Sequence, residues 1–126
     1  MKETITDRVR IGEAVSRILR EDSYIHISPG DFRDACPEPT WAVHVAGRGA
    51  GTLLRLLREA LEETGAGTPD GTVMHLRCAS LTLFEIGRIQ AAIPRAARHR
   101  NGLSFASEGS YDELWLFASV PGASGR

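Results

Sequence analysis

The middle of the chain alternates between two hydrophobic periods, and this alternation constrains the fold more than any other feature. Residues 40–46 place Trp41, Val43 and Val45 at every second position, the period of a strand with one buried face. Residues 52–64 then place Leu53, Leu54, Leu57 and Leu61 at helical spacing and run into Gly65 and Gly67, a helix stop. Residues 72–78 return to the strand period. They are followed by Thr82-x-x-Glu85, a capping box that starts a helix through Ile86, Ile89 and Ile93. Pro94 should kink that helix or begin a second short one over 95–100, which Asn101-Gly102 stops. Residues 103–107 and 113–120 read as two more strands, joined by a hairpin connection over 108–112.

The N-terminal part is read in the same way. Over residues 5–21, Ile5, Val9, Val15, Ile18 and Leu19 share one helical face, and Arg8, Arg10, Glu13, Arg17 and Arg20 occupy the other. Thr4 or Thr6 can cap its start. Residues 24–28 alternate as a short strand ending at Pro29-Gly30, and residues 31–39, with their prolines and aspartates, read as an exposed loop. The fold class is therefore α/β (or α+β): a single mixed sheet of about five strands with three main helices. Parallel crossovers are expected in the middle and antiparallel pairs at the ends. A single domain should span residues 1–120, with a frayed glycine- and serine-rich tail over 121–126.

Composition narrows the function classes. Hydrophobic residues make up 42% and charged residues 25% of the chain, which excludes disorder, a collagen-like fibre and a disulfide-stapled miniprotein. No apolar run approaches membrane-spanning length, and the N-terminus shows no signal-peptide pattern, so a cytoplasmic protein is expected. With 15 basic against 16 acidic residues, the charge balance argues against a nucleic-acid binder or a membrane-surface binder. Lys2 is the only lysine; a genome rich in G and C, of the kind many bacteria have, explains the arginine bias. Cys36 and Cys78 fit no C-x-x-C spacing and read as free thiols, Cys36 in a loop.

Three histidines fall in the middle of expected strands. His26 lies between Ile25 and Ile27, His44 between Val43 and Val45, and His75 between Met74 and Leu76. Each should face away from its apolar neighbours. If those neighbours pack under helices, a less-covered face gathers Tyr24, His26, His44, His75, Arg77, Trp115 and Phe117. Such an imidazole, guanidinium and aromatic surface suits a ligand pocket or a partner-binding face, and an open one would invite homodimerisation. The three imidazoles could alternatively converge on a divalent metal, or two could serve as general acid and base, with Arg77 or Arg48 holding an anionic substrate. The other basic cluster is Arg88, Arg95, Arg98, His99 and Arg100, which reads as a solvated helix face.

Gly47-Arg48-Gly49-Ala50-Gly51 follows a strand and opens a helix, where backbone amides and the helix N-terminus favour an anion. The unit resembles the dinucleotide-binding fingerprint of Rossmann proteins, which implies a nucleotide phosphate at this turn. Thr52 replaces the third glycine of the pattern, and the next strand ends Arg77-Cys78-Ala79 without the acidic ribose ligand. His26-Ile27-Ser28 is similar to one half of the paired signature of two-histidine phosphoesterases; the other strand histidines lack the hydroxyl residue. The first expectation is a small non-enzymatic binding or regulatory module that recognises a protein partner or small ligand through the histidine face. The alternatives are a three-histidine enzyme and nucleotide or phosphate binding at the glycine loop.

Overall fold

The structure, a computed structural model, describes residues 1–20, 27–64, 69–78, 82–93, 101–106 and 112–120. In chain order the elements are β1 (Lys2–Ile5), α1 (Arg8–Arg20), α2 (Pro29–Ala35), β2 (Trp41–Gly47), α3 (Ala50–Thr64), β3 (Gly71–Arg77), α4 (Leu83–Gln90), β4 (Asn101–Ala106) and β5 (Asp112–Ser119). The five strands form one sheet in the order β1-β2-β5-β3-β4. The first four of these are antiparallel neighbours, and β4 joins the edge parallel to β3.

The strands of the central strand–helix alternation do run parallel to one another, as expected, but β5 is inserted between β2 and β3. The expected hairpin between the last two strands is therefore replaced by a pairing of β5 across the sheet. Burial explains the placement. Residues 114–118 of β5 are all buried, and a strand that is apolar on both faces needs a central position with cover on both sides.

Helices cover both faces. On one, Val43, Val45, Met74, Leu76, Leu114 and Leu116 pack against Leu53, Leu57 and Ala60 of α3 and Ile86 and Ile89 of α4. On the other, Ala42, Val73, Trp115 and Phe117 pack against Ile11, Ala14 and Ile18 of α1 and Phe32 of α2. The second face carries His44 and His75, so the expectation that it is less covered is corrected, and with it the ground for homodimerisation through an open sheet.

A fourth helix, α2, supplies part of that cover and lies where an exposed loop was expected. Ser28 is its N-cap and accepts from the Asp31 amide at 3.0 Å; Pro29 and Asp31 fill its first turn, and the Cys36 amide closes it on the Phe32 carbonyl at 2.8 Å. Cys36 is the buried C-cap residue of this helix, not an exposed loop thiol. Among the described residues the sheet has five strands, four of them at expected positions. Tyr24, Ile25 and His26 of the expected 24–28 strand lie outside the described residues, and Ile27-Ser28 lead into α2. The fifth strand is β1, which precedes the expected first helix and takes its first residue; Ile5 pairs with Ala42 of β2. Val9, expected in the apolar face of α1, is 67% exposed.

The capping box of α4 forms as expected, with the Glu85 amide donating to Thr82 Oγ1 and the Thr82 amide to Glu85 Oε1. The helix ends at Gln90, the residue whose carbonyl Pro94, lacking an amide, cannot bond. The second short helix expected over 95–100, the basic residues Arg95, Arg98 and Arg100, and the 121–126 tail lie outside the described residues. Among the described residues no helix is long and apolar enough to cross a membrane.

Candidate binding site

One register row crosses the sheet on the α1 side: Glu3 of β1 opposite His44 of β2, His44 opposite Trp115 of β5, and Trp115 opposite His75 of β3. Glu113 and Arg77 are partners in the next row. Period-two side-chain alternation places both rows on the same face. His44 and His75, two of the three histidines expected on strands, therefore flank one tryptophan, on non-adjacent strands.

Trp115 organises the cluster. Its ring stacks on His44 with centroids 4.1 Å apart and planes within 9°, and on Phe117 at 5.7 Å and 6°. Its indole N–H donates to Glu113 Oε1 at 2.9 Å. His44 Nε2 lies 2.9 Å from the same carboxylate oxygen, at ion-pair distance without an aligned hydrogen bond. The contact with His44 is the first cause that holds the Glu113 carboxyl down to about 2. The indole bond and the charge of Arg77 add to it, against burial, which would raise it. From α1, the Arg17 guanidinium carbon lies 5.4 Å from the Trp115 ring centroid, within cation–π range.

In front of this cluster lies a cleft of about 340 Å³, lined by Ile5, Arg10, Glu13, Ala14, Arg17, Arg20 and Trp115. Three of these side chains are cationic and one is anionic. Arg10 is paired with Glu3; among the described residues no carboxylate lies within ion-pair distance of Arg17 or Arg20. Arg10, Arg17 and Arg20 are exposed, and guanidiniums beside an aromatic ring are suited to a carboxylate or phosphate group.

The sequence singled out His44, Trp115 and Arg77 for this region, and the structure places them in adjoining register rows. His75 shares the row of His44, but its 2% exposure puts it inside the fold. Tyr24 and His26 lie outside the described residues. Among the described residues no group of three His, Cys, Asp or Glu side chains is placed to hold a metal. Two participants were missed. Glu113 was legible, because it sits two residues before Trp115 on one strand and so shares its face. Arg17 was not, because only the packing of α1 brings it over the ring.

The glycine loop has its own anion. The Gly49 amide donates to Asp112 Oδ2 at 2.7 Å, and Asp112 is buried with 1% exposure. Gly49 takes φ +86°, in the left-handed region. Gly47 serves a different need: a Cβ there would stand 2.6 Å from the Thr52 methyl, so the residue in place of the third glycine packs against the first. Arg48 and Gly51 are exposed on the outer side of this turn.

No protein-family model matches the chain. No curated protein matches it in sequence.

Proposed function

We propose that this chain is a small binding or regulatory module that takes an anionic group, a carboxylate or a phosphate, in the cleft between α1 and Trp115. The observation that carries the reading is the Arg17 guanidinium over the Trp115 ring, with Arg20 and Arg10 on the same wall. A small anion and an acidic segment of a protein partner present the same chemistry to this cleft. The aromatic stack beneath is packed against His44 and hydrogen-bonded to Glu113, and a floor already held by such contacts lowers the ordering cost of binding.

Thermal shift and titration calorimetry with inorganic phosphate, citrate and a short polyglutamate peptide test this reading. At least one anion should raise the melting temperature of the wild type at moderate salt, and Arg17→Ala/Arg20→Ala should abolish the effect while leaving the unliganded protein folded. Stabilisation that survives the double substitution, or none by any anion, would remove the proposal.

A second reading, a small enzyme, has one observation in its favour: the imidazole of His44 held against the low-pKa carboxylate of Glu113, an arrangement that suits acid–base work. It requires turnover of an ester or phosphoester that His44→Gln eliminates while anion binding persists.

A further inference from the structure

We propose that the groove between α1 and α2 is a second binding site, for an aliphatic carboxylate. Its volume is about 490 Å³, within the range of small-molecule sites. The floor is apolar: Ile11 and Val15 from α1 face Phe32 and Cys36 from α2. Arg8 and Arg33, both exposed, stand on the rim with Glu38. Among the described residues no carboxylate lies within ion-pair distance of either arginine. The lining therefore carries two cations against one anion, and its accessible apolar surface comes from the half-buried Val15 and Leu19 and the exposed Pro29 and Pro37, above the buried Ile11, Phe32 and Cys36. That pattern matches a ligand with an apolar body and one negative end.

Two further features fit an occupant from outside the chain. Gly12 lies in the interior of α1 and lines the groove, and a Cβ there would meet nothing within 4 Å. A helix-interior glycine destabilises relative to alanine; no packing within the fold requires this one, and its bare backbone widens the groove. The far wall is anchored, since Ser119 Oγ contacts Cys36 Sγ at 3.2 Å and accepts from the Glu38 amide at 3.3 Å. The groove shares no lining residue with the Trp115 cleft, so the two sites stand or fall separately.

The test uses decanoate below its micellar concentration and decyltrimethylammonium, which has the same chain and the opposite charge. The wild type should bind one equivalent of decanoate by calorimetry, at least tenfold more tightly than the cation. Gly12→Leu fills the groove from a helix position open to solvent; it should keep or raise the melting temperature and lose decanoate binding at least tenfold. Arg8→Glu/Arg33→Glu, at two exposed positions, should reverse the preference between the two probes. Arg17→Ala/Arg20→Ala should bind decanoate as the wild type does. Absence of decanoate binding, equal binding of both probes, or binding indifferent to both groove variants would overturn the proposal.

Discussion

The imidazole of His44 and the indole of Trp115 lie face to face across β2 and β5, 4.1 Å apart and 9° from parallel, at directly opposed register positions. Phe117 extends the stack along β5, and Phe32 meets Phe117 edge-on at 5.5 Å. The column joins the polar cluster at one end to the α1–α2 core at the other. Truncating its centre removes packing on both sides of the ring at once. Trp115→Ala should destabilise the fold by about 3–5 kcal/mol, whereas Trp115→Phe, which keeps a ring but loses the indole donor to Glu113, should lose less. Urea unfolding of both variants measures the difference, and equal losses would mean that the indole bond, not the stack, matters.

The Glu113 carboxyl gives the protein an acid-sensitive contribution to stability. Its pKa falls from 4.5 to about 2 on folding, so the folded state favours the ionised form. The associated stability is complete above pH 4.5 and is lost as the pH falls toward 2. Side-chain exposure at Glu113 is 15%, so solvent screening is modest, and the shift corresponds to at most about 3 kcal/mol. Glu113→Gln keeps an acceptor for Trp115 and removes the titration. Its unfolding free energy should change less steeply between pH 4.5 and 2 than that of the wild type. Parallel curves would assign the acid limb to other carboxylates.

Gly47 and Thr52 test the turn after β2 by sterics alone. Gly47→Ala sets its new Cβ 2.6 Å from the Thr52 methyl, and a β-branched side chain has little rotamer freedom with which to retreat. The expected loss is about 1–3 kcal/mol. Thr52→Ser removes that methyl, so the double variant Gly47→Ala/Thr52→Ser should recover most of the loss in a thermodynamic cycle. A loss that Thr52→Ser leaves untouched would locate the strain in the backbone.

Local signals carried much of this fold into the sequence, and non-local ones did not. The alternation of Trp41, Val43 and Val45 and the Thr82–Glu85 box each describe a few consecutive residues, and both hold in the structure. The helix α2 was also legible, for Ser28-Pro29 with Asp31 is an N-terminal signature; the prolines at 37 and 39 favoured a loop reading that its seven residues are short enough to hide in. β1 has four residues, too few to show a period, and exists through its pairing with β2. The position of β5 between β2 and β3 depends on burial summed over both sheet faces, which no window of sequence displays. The same insertion decided the site. It placed Trp115 between His44 and His75 and brought Glu113 under the imidazole.

That placement bears on metal binding by the described histidines. His44 and His75 flank β5, about two strand spacings or roughly 10 Å apart, and Trp115 is the register partner of both. The indole, stacked on His44, occupies the ground where a shared ion would have to sit. His44→Ala/His75→Ala should therefore leave zinc affinity, measured by competition with a chromogenic chelator, within a factor of about two of the wild type. A tenfold loss would mean that the two imidazoles reach one ion despite the ring.

The Gly49–Asp112 bond decides what the glycine loop can accept. A charge-assisted hydrogen bond of this kind contributes about 1.5–3 kcal/mol, and Gly49 N–H to Asp112 Oδ2, at 2.7 Å with the carboxylate buried, meets the geometry for it. Asp112→Ala should lose stability in that range, and Asp112→Asn, which keeps the acceptor without the charge, should lose less. A phosphate offered to the wild type finds this amide already committed. The alanine variant exposes the amide and removes the negative charge beside it, so formate or phosphate should restore part of its lost melting temperature at concentrations that leave the wild type unchanged. Rescue confined to the variant would identify the loop as an anion site filled by the chain's own carboxylate. Equal stabilisation of wild type and variant would place the anion elsewhere, and the Arg17→Ala/Arg20→Ala background would show whether that place is the Trp115 cleft.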